Sequence, residues 1–325
     1  MTLLSVRNLS KSFSDGKLFG VRRRVLHEIS LEVAAGEVVA LVGESGSGKS
    51  TLARVLAGLE RPDAGEIRLE SRPLATSGLE RARVQMVFQD PFSSLNPVHT
   101  VEHHLARPIL RRRAATSAEL HDRVIELLAA VGLDRGLAER HPHALSGGQR
   151  QRVAIARALA AKPEVVLADE PTSMLDVSTR LGVLDLLRWL ADEKKLGVLL
   201  ITHDLASAAA VADRVLTLYA GRVVESGPAR KVLLEPAHPY TRLLLAAVPR
   251  GDRLGEGTLP LRDLSQPGGE AAAAPGEGCP FAPRCQYALE VCRHVPPSTR
   301  AIAPGHQVTC HLFPDKGAAD HAALS

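Results

Sequence analysis

Long apolar runs and aromatic side chains are both scarce in this 325-residue chain. No window approaches the roughly 18 consecutive apolar residues that a membrane-spanning helix needs. Arg7 and Asn8 interrupt the apolar start before a signal sequence could form, so we expect the chain to remain in the cytosol. Phe, Trp and Tyr make up only 3% of the residues, which argues against a platform on which nucleic-acid bases stack.

Charge of one sign is not concentrated either. The chain has 40 Lys and Arg against 36 Asp and Glu, for a net charge of +4, and its arginine triplets at 22–24 and 111–113 are interpreted as solvated surface. No nucleic-acid partner is therefore predicted. The length of 325 residues favours about two domains. The 45% of hydrophobic residues are enough for a substantial core, which excludes a disordered or fibrous chain.

The apolar pattern predicts an α/β fold with a helical insertion. Short apolar segments punctuated by Gly predict four strands in the first 90 residues, namely Leu26–Val33, Glu37–Val42, Glu66–Leu69 and Val84–Gln89. One early helix is predicted in the same region. From about Val101 to Ala161 the apolar spacing is helical. Strands and helices then alternate. The predicted strand Val165–Ala168 precedes the helix Leu181–Leu190, and the strand Val198–Thr202 precedes the short helix Leu205–Ala212. A pair of strands follows, Val215–Tyr219 and Arg222–Val224.

The composition changes after about Pro249. Gly251–Gly278 is rich in Gly, Ala, Pro and Glu and has no sustained periodicity, as is typical of a linker or loose surface segment. All four cysteines lie within Cys279–Cys310. We therefore predict a main domain over residues 1–250, with a helical subdomain at about 90–160, and a linker with a cysteine-rich extension over residues 251–325.

A phosphate-binding motif follows the predicted strand Glu37–Val42. The segment Gly43–Ser50 fits G-x-x-x-x-G-K-[ST] and precedes a stretch compatible with a helix. Glycines let backbone N–H groups converge on phosphate oxygens at a helix N-terminus. In such a loop Lys49 reaches the β- and γ-phosphates, and the Ser50 hydroxyl can ligate Mg²⁺.

Two carboxylates stand at the end of a later apolar strand, where ligands bind in open α/β sheets. Asp169 and Glu170 directly follow Val165–Ala168. We predict that Asp169 holds the Mg²⁺ shell and that Glu170 accepts a proton from the attacking water.

A second anion-binding surface is predicted at Leu145–Gln151, where Ser146 precedes Gly147 and Gly148 at the start of a helical stretch. One nucleotide seldom needs two phosphate cradles. The second cradle therefore suggests a nucleotide held by another copy, in a head-to-tail dimer that sandwiches ATP. The alternative is an ordinary capped helix.

Together these segments resemble ABC-transporter ATPase subunits over about residues 4–250. The segments that carry the resemblance occur in the family's order: Gly43–Ser50, Gln89, Leu145–Gln151, Asp169–Glu170, Ser173–Asp176 and Thr202–Asp204. The resemblance implies a P-loop NTPase core, with a RecA-like sheet, an N-terminal antiparallel β part and a helical subdomain.

The resemblance also implies roles for residues that are not informative alone. Gln89 would sense Mg²⁺, the attacking water and the membrane partner, while His203 would contact the γ-phosphate and Asp176 would lie at the dimer interface. Phe13 resembles the aromatic residue that stacks on adenine, with Phe19 as an alternative. The predicted catalytic residues are thus Lys49, Gln89, Glu170 and His203, and those predicted to ligate Mg²⁺ are Ser50, Gln89 and Asp169. Those predicted to contact ATP are Phe13, Gly43, Glu44, Ser45, Gly46, Ser47, Gly48, Lys49, Ser50, Thr51, Gln89, Ser146, Gly147, Gly148 and Asp169.

Two further segments resemble oligopeptide and dipeptide importers, namely Phe88–Pro97 and His238–Thr241. This resemblance implies an ATP-hydrolysing subunit, peripheral at the cytoplasmic face of the inner membrane, that powers peptide import. Its implied partners are a second ATPase in a heterodimer, two membrane permease subunits and an extracytoplasmic substrate-binding protein. Nickel import is the nearest alternative, and a soluble ABC ATPase without a transport partner is a more distant one.

The cysteines are spaced C-x5-C-x6-C-x17-C at Cys279, Cys285, Cys292 and Cys310. A cytosolic chain has little use for disulfides, so a metal site is favoured over two bridges. Zinc, an iron–sulfur cluster and unligated thiols all remain open from the residues. The resemblance to the cysteine-rich extension of peptide-importer ATPases implies a [4Fe–4S] cluster.

Overall fold

The computed structural model describes residues 2–14, 22–75, 78–112, 116, 118–247 and 278–313. The strands are β1 (Thr2–Ser14), β2 (Arg22–Ala34), β3 (Val38–Val42), β4 (Ala64–Leu69), β5 (Arg72–Pro73), β6 (Val84–Val87), β7 (Val165–Asp169), β8 (Gly197–Thr202), β9 (Arg214–Tyr219), β10 (Arg222–Pro228), β11 (Thr299–Ala303) and β12 (His306–Thr309). The helices are α1 (Lys49–Leu56), α2 (Gly78–Arg81), α3 (Pro91–Ser94), α4 (Val101–Arg111), α5 (Leu120–Ala130), α6 (Gly147–Ala160), α7 (Val177–Lys194), α8 (Leu205–Val211), α9 (Ala229–Leu234), α10 (Pro239–Ala246) and α11 (Val291–His294). The predicted α/β class is confirmed.

A small antiparallel sheet forms the N-terminal part, with strand order β2-β1-β4-β5. Strand β1 was not predicted from the sequence. Polar residues interrupt the apolar alternation of this segment, and the β1–β2 register shifts between Val6 and Leu9, where Asn8 has a φ of 49°. Such a bulge hides the two-residue period by which a strand is recognised.

The larger sheet has the order β11-β12-β10-β9-β3-β8-β7-β6 within the described residues. Its centre is parallel, since β3 pairs with β8 and β9, and β7 pairs with β8 and β6. Every residue of β3, β7 and β8 is buried. Strands covered on both faces are uniformly apolar rather than alternating, which is why they were visible in the sequence.

Helices α4, α5 and α6 form the insertion predicted between Val101 and Ala161. Their buried apolar side chains share one core cluster with the buried side chains of α7 and part of the large sheet. None of the described helices combines the length and the apolar character that crossing a bilayer requires.

The C-terminal region contributes a hairpin for which the sequence analysis assigned no element. Its strand β12 pairs antiparallel with β10, with Glu225 opposite Val308 and Ser226 opposite Gln307. The predicted linker lies mainly outside the described residues. The part of the extension that is described, residues 278–313, is called the tail below; it extends the edge of the large sheet.

Candidate nucleotide-binding site

The predicted catalytic residues follow the carboxyl ends of four parallel strands that lie side by side. In the order of the sheet, Lys49 follows β3, His203 follows β8, Glu170 follows β7 and Gln89 follows β6. The carboxyl ends of parallel strands share one edge of a sheet, and ligands of open α/β sheets bind there. The topology thus brings these four positions to one edge.

The loop Gly43–Gly48 connects β3 to α1, and its shape depends on its first glycine. A Cβ on Gly43 would lie 2.3 Å from the carbonyl oxygen of Leu218, so a larger residue would displace the loop. The Oγ of Ser47 is buried and has no hydrogen-bond partner among the described residues. A buried hydroxyl of this kind calls for a partner, and a phosphate oxygen would supply one.

Lys49, the first residue of α1, is a buried cation beside this loop. Its Nζ donates hydrogen bonds to the carbonyl oxygens of Gly43 and Glu44, both at 2.8 Å. Burial lowers the pKa of its ammonium group, against the opposing effect of Glu170, Asp169 and Glu44. An ammonium group held only by carbonyl oxygens can exchange these partners for phosphate oxygens.

Ser50 and Asp169 come together from distant parts of the chain. The Ser50 Oγ donates to Asp169 Oδ1 at 3.2 Å, and burial raises the pKa of Asp169. A hydroxyl and one carboxylate suit Mg²⁺, which keeps several waters and takes few protein ligands. Among the described residues, no group of three or more His, Cys, Asp and Glu could hold a metal ion, and a magnesium site of this kind does not need one.

Glu170 and His203 form a pair beside Asp169. The Nδ1 of His203 lies 2.6 Å from Glu170 Oε2, and because an ionised carboxylate only accepts hydrogen bonds, this nitrogen carries the proton. Glu170 has a φ of 48°, an uncommon conformation outside glycine. It is held there because its N–H donates to Ile201 and its carbonyl oxygen accepts from Ser173.

Three residues predicted to contact ATP make no hydrogen bond to the loop Gly43–Gly48 within the described part of the chain: Gln89, Phe13 and Thr51. Gln89 is exposed two residues after β6. Phe13 on β1 is 37% exposed, with the Lys11 Nζ lying 4.9 Å from its ring centroid. Its alternative, Phe19, lies outside the described residues. Thr51 is partly buried in the first turn of α1.

Ser146 caps α6, as its sequence predicts. Its Oγ accepts from the Gln149 N–H at 3.2 Å, and the Gln149 side chain accepts from the Ser146 N–H at 2.9 Å, which makes a capping box. A Cβ on Gly148 would lie 2.2 Å from the Thr179 methyl group. This glycine therefore allows α6 to approach the start of α7, where Asp176 is the N-cap.

The four cysteines are all free thiols. Cys279, Cys285 and Cys292 share one hydrophobic cluster, and Cys310 lies in the next. Burial raises the pKa of Cys310 to about 11, with a smaller contribution from the other three cysteines. Their chemistry suits a soft metal or an iron–sulfur cluster, but within the described ranges no three of them are arranged to hold one ion.

Two residues that the sequence analysis did not assign to the site contact Glu44 of the loop. The Glu44 N–H donates to the Tyr240 Oη at 2.8 Å. Both terminal nitrogens of Arg284, from the tail, donate to the Glu44 carboxylate at 2.8 Å. Tyr240 belongs to the segment His238–Thr241 noted above, but local sequence carries no signal for contacts across such separations.

Comparisons with known proteins agree with this geometry. Residues 26–173 match the family described as ABC transporter, and residues 224–292 match the family described as oligopeptide/dipeptide transporter, C-terminal region. The second match contains Tyr240 and Arg284, the two residues that contact Glu44.

Relatives and solved structures cover most of the chain. It is 44% identical over 301 residues, 89% of this chain and 87% of the relative, to a Brucella abortus (strain 2308) protein provisionally named a peptide import ATP-binding protein. It is 41% identical over 320 residues, 95% of this chain and 97% of the relative, to the di/tripeptide transport ATP-binding protein DppF of Pseudomonas aeruginosa (strain UCBPP-PA14).

Among solved structures, the chain resembles the ATP-binding cassette MJ0796 in a post-hydrolysis dimer bound to ADP and Pi, with a TM-score of 0.63, 32% identity, and 70% of this chain and 99% of that chain covered. It also resembles cbiO1 of Clostridium perfringens, with a TM-score of 0.64, 30% identity, and 72% and 91% covered. On these matches and on the arrangement of its loop and strand-end residues, the chain belongs to the ABC transporter family of ATPases.

Proposed function

We propose that this chain is the ATP-hydrolysing subunit of an importer of dipeptides and oligopeptides. The observation that carries the proposal is the meeting of Ser50, Asp169, Glu170 and His203 at one sheet edge beside the loop Gly43–Gly48. The match to the oligopeptide/dipeptide transporter C-terminal region and the names of the relatives support the substrate class.

The residues of this sheet edge divide the work of binding and hydrolysis. Lys49 leaves the carbonyl oxygens of Gly43 and Glu44 for the β- and γ-phosphates, and the loop N–H groups bind the remaining oxygens. Ser50 and Asp169, with Gln89, would hold Mg²⁺, which neutralises charge on the phosphates. Glu170 accepts the proton of the attacking water, and His203 keeps the Glu170 carboxylate oriented and contacts the γ-phosphate.

The remaining nucleotide contacts come from residues away from this edge. Phe13 stacks on adenine, and Ser146, Gly147 and Gly148 bind the nucleotide held by a second ATPase subunit in a head-to-tail heterodimer. Two permease subunits and an extracytoplasmic binding protein complete the importer. This chain lies at the cytoplasmic face of the membrane, and residues 1–250 and 251–325 are its two domains.

The cysteine-rich extension is proposed to bind a [4Fe–4S] cluster. Its support is the donor set of four thiols, and the proposal requires the thiols to draw closer than in this structure. Analysis of iron, acid-labile sulfide and zinc in anaerobically purified protein tests it. Iron and sulfide in equal amounts are expected, whereas zinc alone, or no metal, would contradict it.

The transport proposal is tested by uptake in cells that carry the wild-type chain or Glu170→Gln. Labelled dipeptide, a longer peptide and Ni²⁺ are compared, with Glu193→Gln, which changes an exposed glutamate of α7, as the matched control. We expect energy-dependent uptake of peptides, but not of Ni²⁺, to be lost in Glu170→Gln and to be retained in Glu193→Gln. Loss of Ni²⁺ uptake alone would overturn the peptide assignment in favour of nickel import, and unchanged uptake of all three would contradict a transport role.

A further inference from the structure

Glu44, the second residue of the phosphate-binding loop, is held at three of its polar groups. Its N–H donates to the Tyr240 hydroxyl, and its carbonyl oxygen accepts from the Lys49 Nζ, both at 2.8 Å. Its carboxylate accepts two hydrogen bonds from Arg284. The partners at the N–H and at the carboxylate both belong to the C-terminal region.

The Arg284–Glu44 pair is bidentate and partly buried, unlike an ordinary exposed ion pair. Both terminal nitrogens of the guanidinium reach one carboxylate at 2.8 Å, and the side chains are 23% and 37% exposed. The guanidinium carbon also lies 5.8 Å from the ring centroids of Tyr219 and of Phe281. A bidentate pair supported by aromatic rings fixes direction as well as charge.

The aromatic rings tie this pair to the folded core. Tyr219, at the end of β9, lies 4.6 Å from Tyr240 and 5.2 Å from Phe281 between ring centroids. The tail is held a second time on β10, where the buried Glu225 carboxylate lies 2.8 Å from His306 Nε2. Arg284 therefore projects toward the loop from a segment that is itself anchored.

An unpaired Glu44 carboxylate would oppose the binding of a polyanion. Like charges close together at the mouth of a phosphate site raise the free energy of the bound state. The same residue presents the carbonyl oxygen that Lys49 must release before it reaches phosphate. Neutralising and fixing Glu44 thus acts on the affinity for ATP and leaves Glu170 and His203 untouched.

We propose that Arg284 is a positioning residue of the nucleotide site, through which the tail sets the affinity of the loop for ATP. This inference rests on the proposed function and adds to it a role for the C-terminal extension. It does not depend on what the four cysteines bind.

The test is a double-mutant cycle on the full chain with Mg²⁺ and a fluorescent ATP analogue. Arg284→Gln is expected to weaken nucleotide binding about fivefold at low salt. The deficit should shrink at high salt because screening weakens the repulsion by Glu44. In the E44Q background the same Arg284 substitution should have an effect smaller than twofold. Arg284→Lys, which keeps the charge and loses the bidentate geometry, should fall between wild type and Arg284→Gln.

Arg293→Gln is the matched control, because Arg293 lies in the same tail, is 70% exposed and pairs only loosely with Glu290, at 3.9 Å. It should bind the analogue as wild type does. Steady-state ATPase assays should show the Arg284→Gln effect in KM for ATP, with kcat within twofold.

Equal losses from the Arg284 substitution with and without Glu44 would overturn the proposal, because they would indicate general loosening of the tail. Wild-type affinity in Arg284→Gln would overturn it as well. If the wild-type chain binds no ATP analogue, the proposed ATPase function fails first; if it binds and the cycle is additive, only the role of Arg284 fails.

Discussion

The nucleotide-binding core and the tail are stabilised in different ways. The core buries uniformly apolar strands against helices in large clusters, and its predicted site residues follow those strands along the chain. The described tail buries few large side chains, chiefly Phe281 and Val308 beside its cysteines. Its contacts with the core include one strand pairing, the ring cluster and the polar contacts Arg284–Glu44, His306–Glu225 and Thr309–Val223.

This difference explains what each region can do. Apolar burial is non-directional and accumulates over many contacts, so the core tolerates a strained conformation such as that of Glu170. The tail depends on a few directional contacts, whose loss leaves buried polar groups unpaired. We therefore expect substitutions in the core to alter chemistry or global stability, and substitutions in the tail to alter its attachment.

The largest effect is expected at Glu170. Removing its charge in Glu170→Gln should lower the ATPase rate by a factor of about 10²–10⁴, the usual contribution of a general base, with nucleotide affinity retained. Steady-state ATPase assays and analogue binding measure the two quantities. Near-normal turnover would show that Glu170 is not the general base and that another group accepts the proton of the attacking water.

A pair of cavity-forming substitutions compares the two regions directly. Leu41→Ala, at a fully buried position of β3, should lower the free energy of unfolding by about 2–5 kcal/mol. Phe281→Ala should release the tail and shift the urea midpoint of the core by less than half as much. Reaction of Cys279 and Cys292 with a thiol reagent reports the release. Equal midpoint shifts would mean that core and tail unfold as one unit.

Much of the core could be predicted from sequence because its signals are local. Uniformly apolar segments predicted β3, β7 and β8, and the motifs at Gly43–Ser50 and Asp169–Glu170 were each predicted to follow the end of such a strand. The structure then places Ser50 within hydrogen-bond distance of Asp169. Strand β1 was missed because its bulge at Asn8 breaks the alternation.

The tail could not be predicted in the same way. Its strands are short, and β12 finds its partner 81 residues away along the chain, where His306 meets Glu225. The sequence around Glu44 is the same whether or not Arg284, 240 residues away, pairs with it, so that pairing could not be predicted locally. Two of the three tyrosines in the chain, Tyr219 and Tyr240, lie where the core contacts the tail.

Acid should lower the stability of the region where the core contacts the tail, because His238 lies there beside Tyr240. Its Nδ1 accepts from the Tyr240 N–H, and burial lowers its pKa from 6.5 to about 4. The unfolded chain therefore binds more protons than the folded chain between pH 6.5 and pH 4, so stability falls as the pH is lowered through this range. The expected loss is on the order of 2–3 kcal/mol.

Urea unfolding at neutral pH and near pH 5 measures this effect. In His238→Gln the difference in unfolding free energy between the two pH values should be smaller than in wild type. His27→Gln is the comparison within the core: burial also lowers the pKa of His27 to about 4, so its replacement should reduce the pH dependence of stability as well. If His238→Gln leaves the pH dependence of unfolding unchanged, the burial of His238 does not limit stability in acid.

The smallest effect on folding is expected at Ser146, where a structural and a functional role can be separated. Ser146→Ala removes the cap of α6 and should cost about 1 kcal/mol of stability, as measured by urea unfolding. Ser146→Asn keeps a side chain that caps nearly as well as serine, so its stability should match wild type. It nevertheless changes the group offered to a nucleotide across the proposed dimer. Loss of ATPase activity in both variants therefore supports the second anion-binding surface, whereas normal activity in Ser146→Asn reduces Ser146 to the cap of an ordinary helix.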